Sequence, residues 1–250
     1  MKTIEEVIKK LDEIIAWSIA NKSPIGYFAC TYKSMTSAVL DGVKKKKFED
    51  GNRMILLDLA FAKRYFEALE NYQNKRKCTN AWFTAFEATK NPNLLIMQHI
   101  VLGINAHINL DLGVSAASIM PYRKINPLQN DFNKINEVIA SINQKVQDSL
   151  GKICYSVELV DQLSQGKDNV MLDFAISKAR QTSWATAIIL SNSIQFIRPA
   201  LINMIDNAAT LVARNIILSK SMPPKLLKSL QQCESTNVAE NIKILASIKI

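Results

Sequence analysis

Both histidines of this 250-residue chain, His99 and His107, lie in one mostly apolar segment, MQHIVLGINAHINLDLG (97–113), beside Asn105, Asn109 and Asp111. A neutral imidazole next to a carboxylate can act as a general base or as a metal ligand, so chemistry is expected here first. On an α-helix each residue turns by about 100°, which places positions 99, 103, 107 and 111 on one slowly drifting stripe. His107 and Asp111, one turn apart, are therefore expected to face a common centre. His99 lies about 12 Å along the axis from His107. With metal–nitrogen bonds of about 2 Å, a straight helix cannot bring both imidazoles to one ion. Gly103 costs a helix interior about 1 kcal/mol relative to Ala, which implies that a ligand or another helix approaches between the histidines.

Other elements must complete such a site. Three carboxylates sit in apolar surroundings, Asp58 in MILLDLAFA, Asp131 in QNDFNKIN and Asp173 in VMLDFAI. A buried carboxylate needs a partner, and Arg180, on the same helix face seven residues after Asp173, is the expected one. One reading is a hydrolase in which His107, Asp111 and Asp131 hold one divalent ion and activate water. Its metal-free version uses His107 as base, Asp111 to orient it and Arg180 to stabilise anionic charge, so His107, Asp111 and Arg180 are the catalytic candidates. A second reading is a binding module for a small anionic or amphipathic ligand, oriented by Asn105, Asn109 and Arg180 and walled by Tyr32, Tyr65 and Trp184, with His99 and Asn136 as further contacts. A third is a purely structural polar core that fixes helix register. No local motif pairs a Ser or Cys nucleophile with a base.

The elements that position these groups are helices. Gly and Pro number only 7 each, and no strict apolar–polar alternation persists. The fold class read from this is all-α, a single compact multi-helix bundle spanning 1–250 with buried central helices. Breaks at Ser23-Pro24, Asp50-Gly51, Asn91-Pro92, Met120-Pro121, Asn126-Pro127, Gly151, Gly166 and Pro223-Pro224 divide it. Helices are expected near 3–21, 25–44, 52–73, 79–90, 93–118, 127–150, 153–164, 169–197 and 199–219, with short pieces at 223–231 and 237–247. The segments 54–62 and 185–190, apolar nearly all round, read as central helices.

Apolar residues make up 48% and charged residues 21%, an ordinary globular balance. The net charge of +9 is concentrated at Lys44, Lys45, Lys46 and Lys47 and at Lys75, Arg76 and Lys77. Neither run is interleaved with stacking aromatics, so they read as solvated helix ends, and no specific nucleic-acid motif is present. The N-terminus carries acidic residues throughout and no signal-like apolar stretch, and no run of about 18 consecutive apolar residues argues for a transmembrane segment. A cytoplasmic location is the default expectation. Cys30, Cys78, Cys154 and Cys233 form no C-x-x-C pair and are expected to be core thiols rather than disulfides.

The run Gly103-Ile-Asn-Ala-His-Ile-Asn-Leu-Asp-Leu112, preceded by Gln98-His99, resembles the hallmark G-x-N-A-H-I-N-x-D-L of an uncharacterised, mainly bacterial family of unknown function. Supporting matches are FAKRYFEAL (61–69), Trp82 with Phe86, Asp131-Phe132 with Asn136, and Ala179-Arg180 with Trp184. The resemblance covers about 25–195, leaving the first helix and a C-terminal helical extension of about 220–250 outside it. It implies an all-helical fold and a polar centre at Asn105, His107, Asn109, Asp111, Asp131 and Arg180, with no activity to carry over. A looser likeness is to helical zinc phospholipases and nucleases, whose clustered sites need more histidines than the two present here.

Overall fold

The computed structural model describes residues 1–120, 124–154, 167–219 and 224–248; within them the side chains of 137–144, 147 and 167–176 are not described. The architecture is all-α. The helices are α1 (Ile4–Ala20), α2 (Ile25–Lys44), α3 (Gly51–Gln73), α4 (Asn80–Ala88), α5 (Ile96–Asn105), α6 (Gly113–Ile119), α7 (Gln129–Ile153), α8 (Lys167–Asn192), α9 (Arg198–Ile217), α10 (Pro224–Cys233) and α11 (Val238–Ala246). Among the described residues there is no strand, only an isolated bridge between Cys154 and Glu234. The helix expected at 153–164 falls almost entirely outside the described residues.

α5 and α6 are one continuous helix whose middle, Ala106–Leu112, is wound as a π-helix. This helix is the axis of the molecule: α2, α4 and α9 pack on α5, the π segment meets α3, α4, α8 and α9, and α6 lies on α3 and α8. A helix enclosed on all sides must be apolar all round. Ile96–Ile119 is long and apolar enough to cross a membrane, yet 89% of its most apolar window is buried inside the protein. The segments expected to be central are so only in part: Met54, Leu57 and Ala62 of α3 and Ala187 and Leu190 of α8 are buried, but each segment keeps an exposed apolar side. Leu56 on α3 is 56% exposed and Ile189 on α8 is 54% exposed, and an apolar surface continues through Ile194 and Phe196 at the α8–α9 corner. Pattern alone cannot distinguish a helix buried by neighbours from one with an uncovered apolar face.

Three helix starts receive a carboxylate from a distant element. The exposed amides of a helix's first turn attract negative charge. Asp131 of α7 accepts from the Glu49 and Asp50 amides (2.7 and 3.1 Å) at the head of α3. Asp206 of α9 accepts from the Asn80 and Ala81 amides (both 2.8 Å) at the head of α4. Glu234, just after α10, accepts from the Ile96 amide (3.0 Å) at the head of α5, where the N-cap is Leu95 and offers no oxygen of its own. Burial pushes the Glu234 carboxyl up to about 7.

Glycine positions show how closely the axis is packed. A methyl group on Gly103 would collide with Cγ, Cδ2 and Cβ of Phe28 on α2, and one on Gly113 would meet the Ser183 carbonyl of α8 at 2.8 Å. The approach inferred from Gly103 is thus made by a packed ring. Gly103→Ala gains about 1 kcal/mol of helix propensity but overpacks against the root of a buried side chain, which costs about 1–3 kcal/mol. Chemical denaturation should therefore show a variant no more stable than wild type, with the loss traced to Phe28.

Candidate functional site

The stripe of His99, His107 and Asp111 does not converge on one centre; the structure distributes the three residues over three environments. Phe28 is the divider. Its ring lies on Gly103 and lines both the small void next to His99 and the larger cavity next to His107.

His99 faces the smaller void, about 20 Å³, with Tyr65, Trp82 and Phe28. Its Nδ1 is buried without a partner, and burial pushes its pKa down to about 4. Tyr65 is fully buried, packs edge-on against Phe28, and has an unpartnered hydroxyl.

Asp111 is occupied on its other side. Arg64 Nε donates to Oδ1 and Trp82 Nε1 donates to Oδ2, both at 2.6 Å, and the carboxylate is 1% exposed. The nearest approach to His107 is Nδ1 to Oδ2 at 3.9 Å, beyond hydrogen-bond distance. Asp111 therefore does not orient the imidazole by a hydrogen bond as expected. It lies at the base of an outer cleft of about 570 Å³ formed by Arg64, Asn71, Lys77, Trp82 and Asn203. Trp82, which in the sequence stood out only through the family resemblance, is the residue that takes Asp111 away from His107.

The proposed metal trio is not assembled either. Both oxygens of Asp131 are spent on the head of α3, and Oδ2 is also held by Arg53 Nη2 at 2.9 Å. Its role is to clasp α7 to α3. Among the described residues no three His, Cys, Asp or Glu side chains come together as ligands of one ion. Asn105 and Asn109 also serve the frame: Asn109 Nδ2 donates to Asn105 Oδ1, and Asn105 Nδ2 donates to the Ala209 carbonyl of α9, both at 2.8 Å. These bonds brace the π segment where its widened turn departs from α-helical pairing.

His107 is where an opening remains. It stacks on Phe61 of α3 at 3.4 Å between centroids and meets the Tyr32 ring of α2 edge-on at 4.3 Å. Both ring nitrogens are buried and unpartnered. Burial lowers its pKa, against the opposing pull of Asp111, so the ring is neutral at physiological pH. It lines a cavity of about 60 Å³ whose walls are largely apolar, with Phe28, Met35, Leu57 and Ile108 among them. Into this wall are set Tyr32, Thr36, Asp58, His107 and Arg180. The Tyr32 hydroxyl, Thr36 Oγ1 and Asp58 Oδ2 are also buried without partners. Burial holds the Tyr32 hydroxyl well above its ordinary range and the Asp58 carboxyl up at about 7.

Arg180 reaches the same cavity from α8 and is 3% exposed. Its Nε donates to Asn136 Oδ1 at 2.6 Å, its Nη2 to the Phe132 carbonyl, and its guanidinium lies over the Phe132 ring. Burial brings its pKa down to about 9. The side chain of Asp173, its expected partner, is not among those described. Trp184 packs on Phe132 and stays outside the cavity. Of the expected residues the structure thus gathers Tyr32, His107 and Arg180, with Asn136 behind Arg180. Thr36 was missed, although Phe28, Tyr32 and Thr36 form an i,i+4 row on α2 that could have exposed it.

Asp58 gives this centre a pH signature. Its folded pKa of about 7 stands above its ordinary 3.8, so the folded protein keeps a proton that the unfolded chain releases in that window. This group's contribution to stability therefore falls as pH rises from 3.8 to about 7. Asp58→Asn, which cannot ionise, should gain on wild type across that window and hold its advantage above it, as read from urea midpoints at acid and alkaline pH.

Comparison with known proteins decides the lineage. A family of unknown function, DUF5995, matches residues 4–219. The chain belongs to that family. The match includes α1, which the sequence motifs did not reach, and ends just after α9, leaving α10 and α11 beyond it. No curated protein and no solved structure matches the chain.

Proposed function

We propose that this DUF5995 member is a binding module for a small, mainly apolar molecule held in the cavity between α2, α3, the π segment and α8. One observation carries the reading: a largely apolar cavity lined by Tyr32, Thr36, Asp58 and His107, whose buried polar atoms have no protein partner. Buried polar groups are nearly always satisfied, and an unsatisfied one costs about 1–3 kcal/mol, so a set of them around one void calls for a ligand or ordered water. An apolar pocket with a few convergent polar groups is the usual form of a small-molecule site.

A fragment screen followed by amide chemical shifts tests this. Hits should perturb residues 32–39, 54–61 and 104–112 and disappear in Leu57→Trp, which fills the cavity. Hits confined to the outer cleft, or no hits, would remove the proposal.

A second reading, general-base hydrolysis, is favoured by the neutral His107 ring with both nitrogens unpartnered. It requires turnover of an ester or phosphoester that His107→Gln abolishes without abolishing binding. The metal-dependent version lacks a ligand set among the described residues.

A further inference from the structure

We infer that the cavity takes a small organic acid, an apolar-bodied carboxylate whose oxygens pair with the Arg180 guanidinium. This rests on the binding reading above and names the class of ligand. Arg180 is a nearly fully buried cation whose protein acceptors, the Asn136 amide oxygen and the Phe132 carbonyl, are both neutral. Among the described residues no carboxylate pairs with it. A buried charge is stable only when compensated, and the planar guanidinium fork matches a carboxylate.

The rest of the wall selects a monoanion. The titratable groups lining the cavity among the described residues are Tyr32 of α2, Asp58 of α3, His107 of the π segment and Arg180 of α8. Burial keeps the imidazole and the phenol neutral, and it keeps the Asp58 carboxyl protonated up to about 7. Just below that pH Arg180 is the one formally charged group among the described residues that line the cavity. As pH rises through 7, Asp58 ionises and competes with the ligand for the same positive potential. A phosphate dianion would overcompensate one guanidinium and would meet apolar side chains on its remaining faces. The cavity of about 60 Å³ has room for roughly four to six non-hydrogen atoms if one water needs about 10–15 Å³. A short-chain acid such as propanoate or butanoate is of that size.

The test is titration of the full chain with butanoate, butanamide, butanol and butylamine, followed by calorimetry and by the amide shifts of residues 32–39 and 104–112. Butanoate should bind about tenfold or more tightly than its amide, the ratio expected from one charge-assisted pair. Its affinity should fall between pH 6 and pH 8, and Asp58→Asn should flatten that fall. Arg180→Gln should abolish the preference for the acid; should that variant not fold, the comparison of acid with amide in wild type decides alone. Equal binding of butanamide or butanol at these residues would overturn the carboxylate assignment and leave the binding reading standing, as would butylamine binding best. If none of the four moves the lining residues, both are overturned.

Discussion

Replacing Asp111 by Ala is expected to lower the unfolding free energy by about 3 kcal/mol without changing the helical content of the folded state. The carboxylate is 1% exposed and carries two charge-assisted bonds of 2.6 Å, from Arg64 and from the Trp82 indole. Removing it strands a guanidinium and a fully buried N–H, and breaking a buried ion pair from one side costs about 3–5 kcal/mol. The lower end is chosen because the Arg64 side chain remains 28% exposed and can recover some solvation. Asp111→Asn should fall between wild type and Ala, since an amide oxygen serves one of the two donors while its NH₂ opposes the other. Urea unfolding with an unchanged m-value measures this. A cost below about 1 kcal/mol would equate the pair with an exposed ion pair and remove Asp111 as the anchor of the central helix. The result also separates the two roles once assigned together: loss of stability would belong to Asp111, loss of ligand to His107.

Loss of the Cys154–Cys233 bridge is expected to cost about 4.5 kcal/mol, the chain-entropy value for a closed loop of this size. The bridge joins the end of α7 to the end of α10 with Cα atoms 5.0 Å apart and a sequence separation of 79. Cys30 and Cys78 remain free thiols. The double variant Cys154→Ser/Cys233→Ser, compared with wild type by denaturant unfolding, gives the number. Hydrogen exchange should locate the effect, because Glu234 follows Cys233 directly and its carboxylate holds the Ile96 amide. That amide is expected to lose protection before those in the middle of the axis. Unchanged stability in the double variant would show that packing, not the bridge, holds α10 in place.

The helical architecture was legible because the breakers are scarce and well placed. Ser23-Pro24 and Asp50-Gly51 give the ends of α1 and the start of α3 to within a residue, where local capping decides the boundary. The expected helix at 169–197 in fact ends at Asn192, since the uncovered apolar residues Ile194 and Phe196 extend the pattern beyond the backbone's own stop. The cysteines were misread for a different reason. Spacing along the chain says nothing about two sulfurs brought together by the ends of α7 and α10, so the expectation rested on compartment alone.

The site was legible in part. That His107 is buried follows from a polar residue placed in an apolar run, and Arg180 was expected to face inward as the partner of Asp173. The direction in which each side chain points does not follow. Periodicity put His107 and Asp111 toward one centre, but the π winding and the competing donors Arg64 and Trp82 turned the carboxylate outward. Asp131, Asp206 and Glu234 illustrate the same limit, since each serves a helix start far away in sequence and has no local signal for it.

The widened turn at Ala106–Leu112 lets one rod answer to two sets of neighbours. Upstream of it the small face at Gly103 seats Phe28, and downstream the small face at Gly113 seats Ser183 and Thr186. An i→i+5 turn absorbs an extra residue, so the helix after it keeps close to the phase it would have without that residue. Gly103 and Gly113 both keep their seats although the stretch between them winds more slowly than the α-helical rate of about 100° per residue. Rewinding 106–112 as ordinary α-helix with its length unchanged would swing Gly113 away from α8, so the turn acts as a phase adjuster whose length is set by partners on both sides.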